Sequence, residues 1–140
     1  MVEYSLFIDS SPKKIWDYLT KPDLMRLWMG DPELKIVIET DWNVKGQIII
    51  KGFHHVSFEN KGVVEIFEKE RRLKYSSISS ISRLPDRPEN YISTEFNLEP
   101  IDRQTRLIVK VENFPTDVIY KHCNFYWRGT IVKIKNLVEN

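Results

Sequence analysis

One cysteine, Cys123, stands in 140 residues, so no disulfide can close within the chain, and a reducing compartment suits it. The five glycines are scattered among turns, and none builds a phosphate-cradling loop. Of the three histidines two are adjacent, His54 and His55, and no CxxC or HxxxH spacing occurs, so no metal site is expected. No apolar run approaches the ~20 residues needed to cross a bilayer. The opening Met1-Val2-Glu3-Tyr4 has neither a basic n-region nor an apolar h-region, so no secretory signal is visible. Charge of one sign is lacking too. Twenty-one basic residues face 20 acidic ones for a net +1, which gives no electrostatic reason to expect nucleic acid or an anionic membrane. A soluble, cytoplasmic protein with no cofactor, metal, nucleic-acid or membrane partner is the expectation.

What is present is enough for a core. Hydrophobic residues make up 41% and aromatics 12%, which argues against disorder, and the length suits one domain over 1–140. The stretch that organises the rest is 116–139, which reads as one long helix. Thr116 can cap it after Pro115, and Asp117 puts a negative charge in the first turn. At about 100° per residue, Ile119, Cys123, Tyr126, Trp127, Thr130, Ile131, Ile134, Leu137 and Val138 share one face. The segment spans roughly 35 Å at about 1.5 Å per residue, long enough to cross a small sheet.

The preceding chain supplies that sheet. Val2 to Asp9 alternates as a strand. Ser10-Ser11-Pro12 starts a short helix carrying Ile15, Trp16 and Leu19, and Pro22 ends it and opens a second, up to Gly30. From Glu33 onward the period is two: Leu34, Ile36 and Ile38, then Gln47 to Lys51, with Gly52 marking a bulge before Phe53. Asn60-Lys61-Gly62 reads as a turn, after which Val64 and Ile66 face one way. Leu73, Tyr75 and Ser77 form a strand, 79–90 is the longest irregular loop, and two more strands carry Ile92 to Leu98 and Leu107 to Val111. The fold class is therefore α+β. A curved antiparallel sheet of six to seven strands wraps a long C-terminal helix, with two short helices after the first strand. Such a sheet is broader than one helix can fill, which leaves room for a cavity near the helix's N-terminal half. A flat sheet closed by tight packing is the alternative.

Ser11-Pro12-Lys13-Lys14-Ile15-Trp16-Asp17-Tyr18-Leu19-Thr20, followed by Lys21-Pro22-Asp23-Leu24 and Trp28, resembles the opening of the START-like (SRPBCC, helix-grip) superfamily. Within it the chain is most similar to the branch related to the activator of the ninety-kilodalton heat-shock chaperone ATPase. Gly62-Val63-Val64-Glu65, Leu73-Lys74-Tyr75, Thr105-Arg106-Leu107 and the spacing of Trp127, Ile131 and Ile134 carry that similarity. Nearly the whole chain is covered, but the matching positions are those of core and turns, which identify a fold better than an activity. Tyr126 stands where the branch usually places glycine, leaving less room beside the helix.

The resemblance implies three functions. The first is binding of a small hydrophobic or amphipathic molecule between sheet and helix. The second is polyketide cyclase or aromatase-like catalysis in the same cavity, and the third is a chaperone-regulating module. The eukaryotic activator's extra N-terminal domain is not in this sequence, which weighs against the third. Candidate lining residues are Trp28, His54, Tyr75, Phe96, Cys123 and Tyr126, with His54 as polar anchor provided the bulge keeps it facing inward like Ile48 and Ile50. Each has a plainer reading, since aromatics dominate cores and a buried free cysteine behaves as a small hydrophobe. No catalytic residue is assigned; His54 is the one candidate acid–base group if turnover occurs. His54 and His55, neighbours in a strand, should point to opposite faces. Val118, Phe125 and Val132 recur every seven residues on the helix's outer flank and make a candidate homodimer contact. The alternatives are that the 79–90 loop folds over them, or that they are simply exposed, as single apolar side chains ordinarily are.

Overall fold

The computed structural model describes residues 1–140. In chain order the elements are β1 (Val2–Ile8), α1 (Pro12–Thr20), α2 (Pro22–Met29), β2 (Val37–Thr40), β3 (Gln47–His54), β4 (Val56–Glu68), β5 (Arg72–Ser79), β6 (Ile92–Ile101), β7 (Gln104–Glu112) and α3 (Asp117–Glu139). The seven strands make one curved antiparallel sheet in the order β1-β7-β6-β5-β4-β3-β2. The expected α+β architecture holds: a curved sheet, a long C-terminal helix and two short helices after the first strand.

Local chemistry sets the helices. Ser11 accepts a hydrogen bond from the Lys14 amide and Pro12 occupies the first turn of α1, where its missing N–H costs nothing. Pro22 opens α2 in the same way. Thr116 caps α3, its hydroxyl accepting from the Ile119 amide at 3.1 Å. The face of α3 that carries Cys123, Trp127, Thr130, Ile131, Ile134 and Val138 is buried.

Polar bonds clamp α3 to the edge strand β1. The Tyr4 hydroxyl donates to Asn124 Oδ1 at 2.6 Å, Lys135 Nζ donates to the Phe7 carbonyl at 2.9 Å, and the Asp9 amide donates to Glu139 Oε2 at 2.8 Å. One hydrophobic cluster joins sheet, helices and connections, with Ile8, Leu19, Met25, Leu73, Phe96, Leu107, Val109 and Ile134 among its buried members. The helix is thus held hard against one end of the sheet, at β1, while the far strands curve away from it.

Four local expectations are corrected. Asn60-Lys61-Gly62 is not a turn. It lies mid-strand in β4, thirteen residues long, where Asn60 pairs with Ile50 on one side and Ser79 on the other. Gly62 is required there because a side chain has no space: a Cβ would come within 1.7 Å of the Ser76 carbonyl oxygen. The bulge is not at Gly52, whose ladder to Phe58 is regular; it falls between Val64 and Ile66 on β4. An extra residue there reverses the facing, so Phe67 rather than Ile66 joins Val64 against the core, packing on Trp16 at 5.2 Å. Finally, β2 is only four residues. Pro32–Leu34 forms a 3-10 turn and Lys35 is left-handed at φ 50°, although Leu34 and Ile36 still point inward.

Candidate functional site

Between the far strands and the N-terminal half of α3 lies a half-open cavity of about 300 Å³. Its sheet wall is built by alternation. Phe58 and Asn60 face inward from β4, Tyr75 and Ser77 from β5, Ile92 and Thr94 from β6, and Ile50 from β3. The helix wall is His122, Cys123, Tyr126 and Trp127, and the lip is Trp28 and Met29 at the end of α2 with Leu34 and Ile36 from the connection to β2. Two glycines set how closely the strands and rings around it pack. Gly62 leaves β4 without a side chain beside Ser77, and the Phe58 ring lies over Gly52, where a Cβ would meet it at 2.5 Å.

The aromatic floor is a continuous ring cluster. Trp28 meets Phe96 at 6.2 Å and Trp127 at 5.9 Å, and Phe96 meets Tyr75 at 6.2 Å and Trp127 at 5.6 Å. Trp28 is fixed at its polar end by donating from Nε1 to the Tyr18 carbonyl at 2.7 Å. Tyr126 crosses the lip, its hydroxyl donating to the Met29 carbonyl at 3.1 Å. On the far side of that bond is an open groove of about 570 Å³ between the end of α2 and the outer flank of α3, with Gly30, Arg128 and Lys133 on its walls. Trp28, Met29, His122 and Tyr126 are shared by both spaces, so the Tyr126–Met29 bond stands between them.

No Lys, Arg, Asp or Glu lines the inner cavity. Burial pushes the Tyr75 hydroxyl far up from its ordinary value, with the neighbouring Tyr126 adding to the shift. Burial likewise pushes Tyr126 up to about 12 and raises the Cys123 thiol. All three are therefore protonated at neutral pH. They offer hydrogen bonds and apolar surface, not a base or a nucleophilic thiolate. Asn60 Oδ1 is buried in this wall without a hydrogen-bond partner. No group of three or more His, Cys, Asp or Glu side chains is placed to hold a metal ion.

Of the residues singled out from sequence, Trp28, Tyr75, Cys123 and Tyr126 surround the cavity, and Phe96 lies fully buried directly beneath it. His54 does not belong with them. It is exposed at the end of β3, where the hairpin to β4 closes at His55 in the left-handed region, φ 65°. Its register still matches Ile48 and Ile50, but β3 has run past the mouth of the grip by the time it reaches His54. The same turn brings the two imidazoles together, ring centroids 4.7 Å apart, instead of on opposite faces. Asn60, Ser77 and Thr94 were missed. The alternation Phe58-Asn60-Gly62-Val64 was the signal that could have revealed Asn60, but Asn and Gly in one tripeptide are turn-formers and hid it.

Proteins of known structure share this fold. ChR145 from Cytophaga hutchinsonii is 25% identical, with a TM-score of 0.82 over 99% of this chain and 93% of that one. CV1439 from Chromobacterium violaceum is 16% identical, with a TM-score of 0.85 over 99% and 96%. The Aha1 dimer from Colwellia psychrerythraea is 21% identical, with a TM-score of 0.76 over 99% and 95%. No curated protein matches in sequence. Residues 9–139 match the family described as activator of Hsp90 ATPase homolog 1-like protein, and with the helix-grip fold around them the chain belongs to that family.

Proposed function

We propose that the protein binds a small hydrophobic or amphipathic molecule in the cavity between the sheet and α3. The observation that carries this is the apolar, uncharged, half-open space of about 300 Å³ floored by Trp28, Phe96 and Trp127 rings. That volume is at the small end of ligand sites, which run about 300–1,000 Å³. A molecule hiding about 250 Å² of apolar surface there gains roughly 6 kcal/mol at about 25 cal/mol/Å². Lost rigid-body freedom offsets part of that, so affinity in the micromolar to millimolar range fits. The cyclase-like alternative relied on His54, which is exposed at the hairpin and away from the cavity wall.

The test uses N-phenyl-1-naphthylamine, an uncharged dye that brightens in apolar sites. One saturable site per chain is the expected result. Ser77→Leu, which fills the cavity from the β5 wall, should remove that signal while leaving the melting temperature unchanged or raised, as cavity-filling changes commonly do. Dye binding that persists at full strength in Ser77→Leu would place the ligand elsewhere.

We also propose self-association through the outer flank of α3. Val118, Phe125 and Val132 are 76%, 72% and 46% exposed there, so the 79–90 loop does not cover them. The Arg128 guanidinium over the Phe125 ring, 5.6 Å from its centroid, leaves the outer edge of that ring bare. The Colwellia psychrerythraea relative is a dimer. Light scattering at about 50 μM should give twice the 16.7 kDa chain mass, falling to the chain mass in Phe125→Asp. Chain mass alone for the unaltered protein would end this reading.

A further inference from the structure

Resting on the ligand-binding reading, we infer that Asn60 is the polar anchor of the cavity and that the ligand is uncharged, with a hydroxyl, carboxamide or lactam head seated against the Asn60 amide. Asn is unfavourable in a strand interior, and an inward-facing amide is costlier still. Here it stands between Phe58 and Gly62 along β4, beside Ile50 on β3 and opposite Ser79 on β5, whose hydroxyl oxygen already accepts from the Ile81 amide. Its Oδ1 is buried and unpaired, the only buried side-chain nitrogen or oxygen in the chain without a partner. Elsewhere in the core the Thr20 and Thr105 hydroxyls donate to the Trp16 and Ser10 carbonyls.

An unmet amide in the wall of an apolar cavity lowers the stability of the free protein, and a ligand that meets it recovers that loss on binding. A carboxamide presents a donor and an acceptor side by side. The matching head therefore carries both functions in one compact group. A carboxylate or phosphate head seated at Asn60 would have no lysine or arginine to pair with it, the one basic side chain of the lining being His122 on the exposed flank of α3, and a cationic head would find no acid. The remainder of the ligand lies over the Trp28 and Tyr126 rings toward the lip.

The experiment titrates isotopically labelled protein at pH 7 with 4-butylphenol, butylbenzene and 4-butylbenzoate, reading amide shifts by NMR. The three share a tail and ring and differ in the head. The phenol should bind about tenfold more tightly than butylbenzene, the effect of one net hydrogen bond, and at least tenfold more tightly than the benzoate. Asn60→Leu, nearly equal in shape, should bring the phenol and butylbenzene within about twofold of each other. It should also raise the melting temperature of the free protein by a few degrees. An asparagine kept only for its place in the strand predicts the reverse, a lower melting temperature and no change in ligand preference. Equal affinity of phenol and butylbenzene for the unaltered protein would overturn the inference, as would tighter binding of the benzoate. Either result leaves the cavity itself as a binding site. Saturable shifts from none of the three would remove the ligand-binding reading and this one together. The unaltered protein decides between these outcomes even if Asn60→Leu fails to fold.

Discussion

Gly62→Ala is expected to leave little or no folded protein, whereas Gly129→Ala should stabilise it. Both add one methyl group. At Gly62 the new carbon would sit 1.7 Å from the Ser76 carbonyl oxygen and 2.5 Å from the carbonyl carbon, both backbone atoms of a paired strand. No rotamer change can relieve that contact. β4 and β5 must move apart, and they would do so in the middle of the ladder between Lys61–Ile78 and Val64–Tyr75. Losses above about 4 kcal/mol are confined to such cases, and they take a large share of the ~5–15 kcal/mol that a domain of this kind has in total. At Gly129, in the exposed middle of α3, a Cβ meets nothing within 4 Å. Exchanging glycine for alanine there removes backbone freedom from the unfolded chain and should add about 1 kcal/mol. Urea denaturation of the two variants beside the parent protein checks both signs. A Gly62→Ala protein with an unchanged midpoint would mean that the two strands are not as close as described.

That pair also marks what could be read in the sequence and what could not. Gly129 sits inside a helix announced by Thr116, Asp117 and an apolar face of more than five turns, a pattern that needs no knowledge of neighbours. The same locality made β1, α1 and α2 legible, each bracketed by Ser11, Pro12 or Pro22. Gly62 looks identical on paper, yet its role depends on Ser76, fourteen residues away and across a strand. Read locally, Asn60-Lys61-Gly62 is a turn, and only the hairpin closing at His55 frees those residues to run on as strand. The site followed the same division. Trp28, Tyr75, Cys123 and Tyr126 were found because their faces follow directly from helix or strand period. His54 keeps the register of Ile48 and Ile50, but it is the last residue of β3 and lies past the mouth of the cavity, and alternation gives the facing of a residue without saying how far along the strand a cavity reaches. The real bulge, beyond Val64, carries no glycine or proline to announce it. Asn60, Ser77 and Thr94 share the inner face of Phe58, Tyr75 and Phe96 by the same period of two, but a polar side chain on such a face carries no local sign that a cavity lies beside it.

Trp28→Ala should be the most damaging change within the lining of the cavity, and one that a small molecule can repair. The indole is 2% exposed, touches Phe96 and Trp127, and donates to the Tyr18 carbonyl. Truncation removes about 3–5 kcal/mol through lost burial and the void left behind. It also leaves the Tyr18 carbonyl without its donor, which adds to the loss. Because Trp28 borders both the inner cavity and the outer groove, its removal joins the two spaces across the lip. The void is lined by rings and closed below by Phe96, and such apolar cavities accept ligands of matching shape. Indole carries the deleted atoms and the deleted N–H. Millimolar indole should therefore raise the melting temperature of Trp28→Ala by several degrees, well beyond the smaller rise that filling the existing cavity gives the parent protein. 1-Methylindole, which has the same ring but a methyl group in place of the N–H and cannot donate to Tyr18, should restore less. Equal rescue by both compounds would assign the role of Trp28 to packing alone. A Trp28→Ala protein as stable as its parent would show that the ring cluster does not support the grip, since no other residue bridges α2, Phe96 and Trp127 in this way.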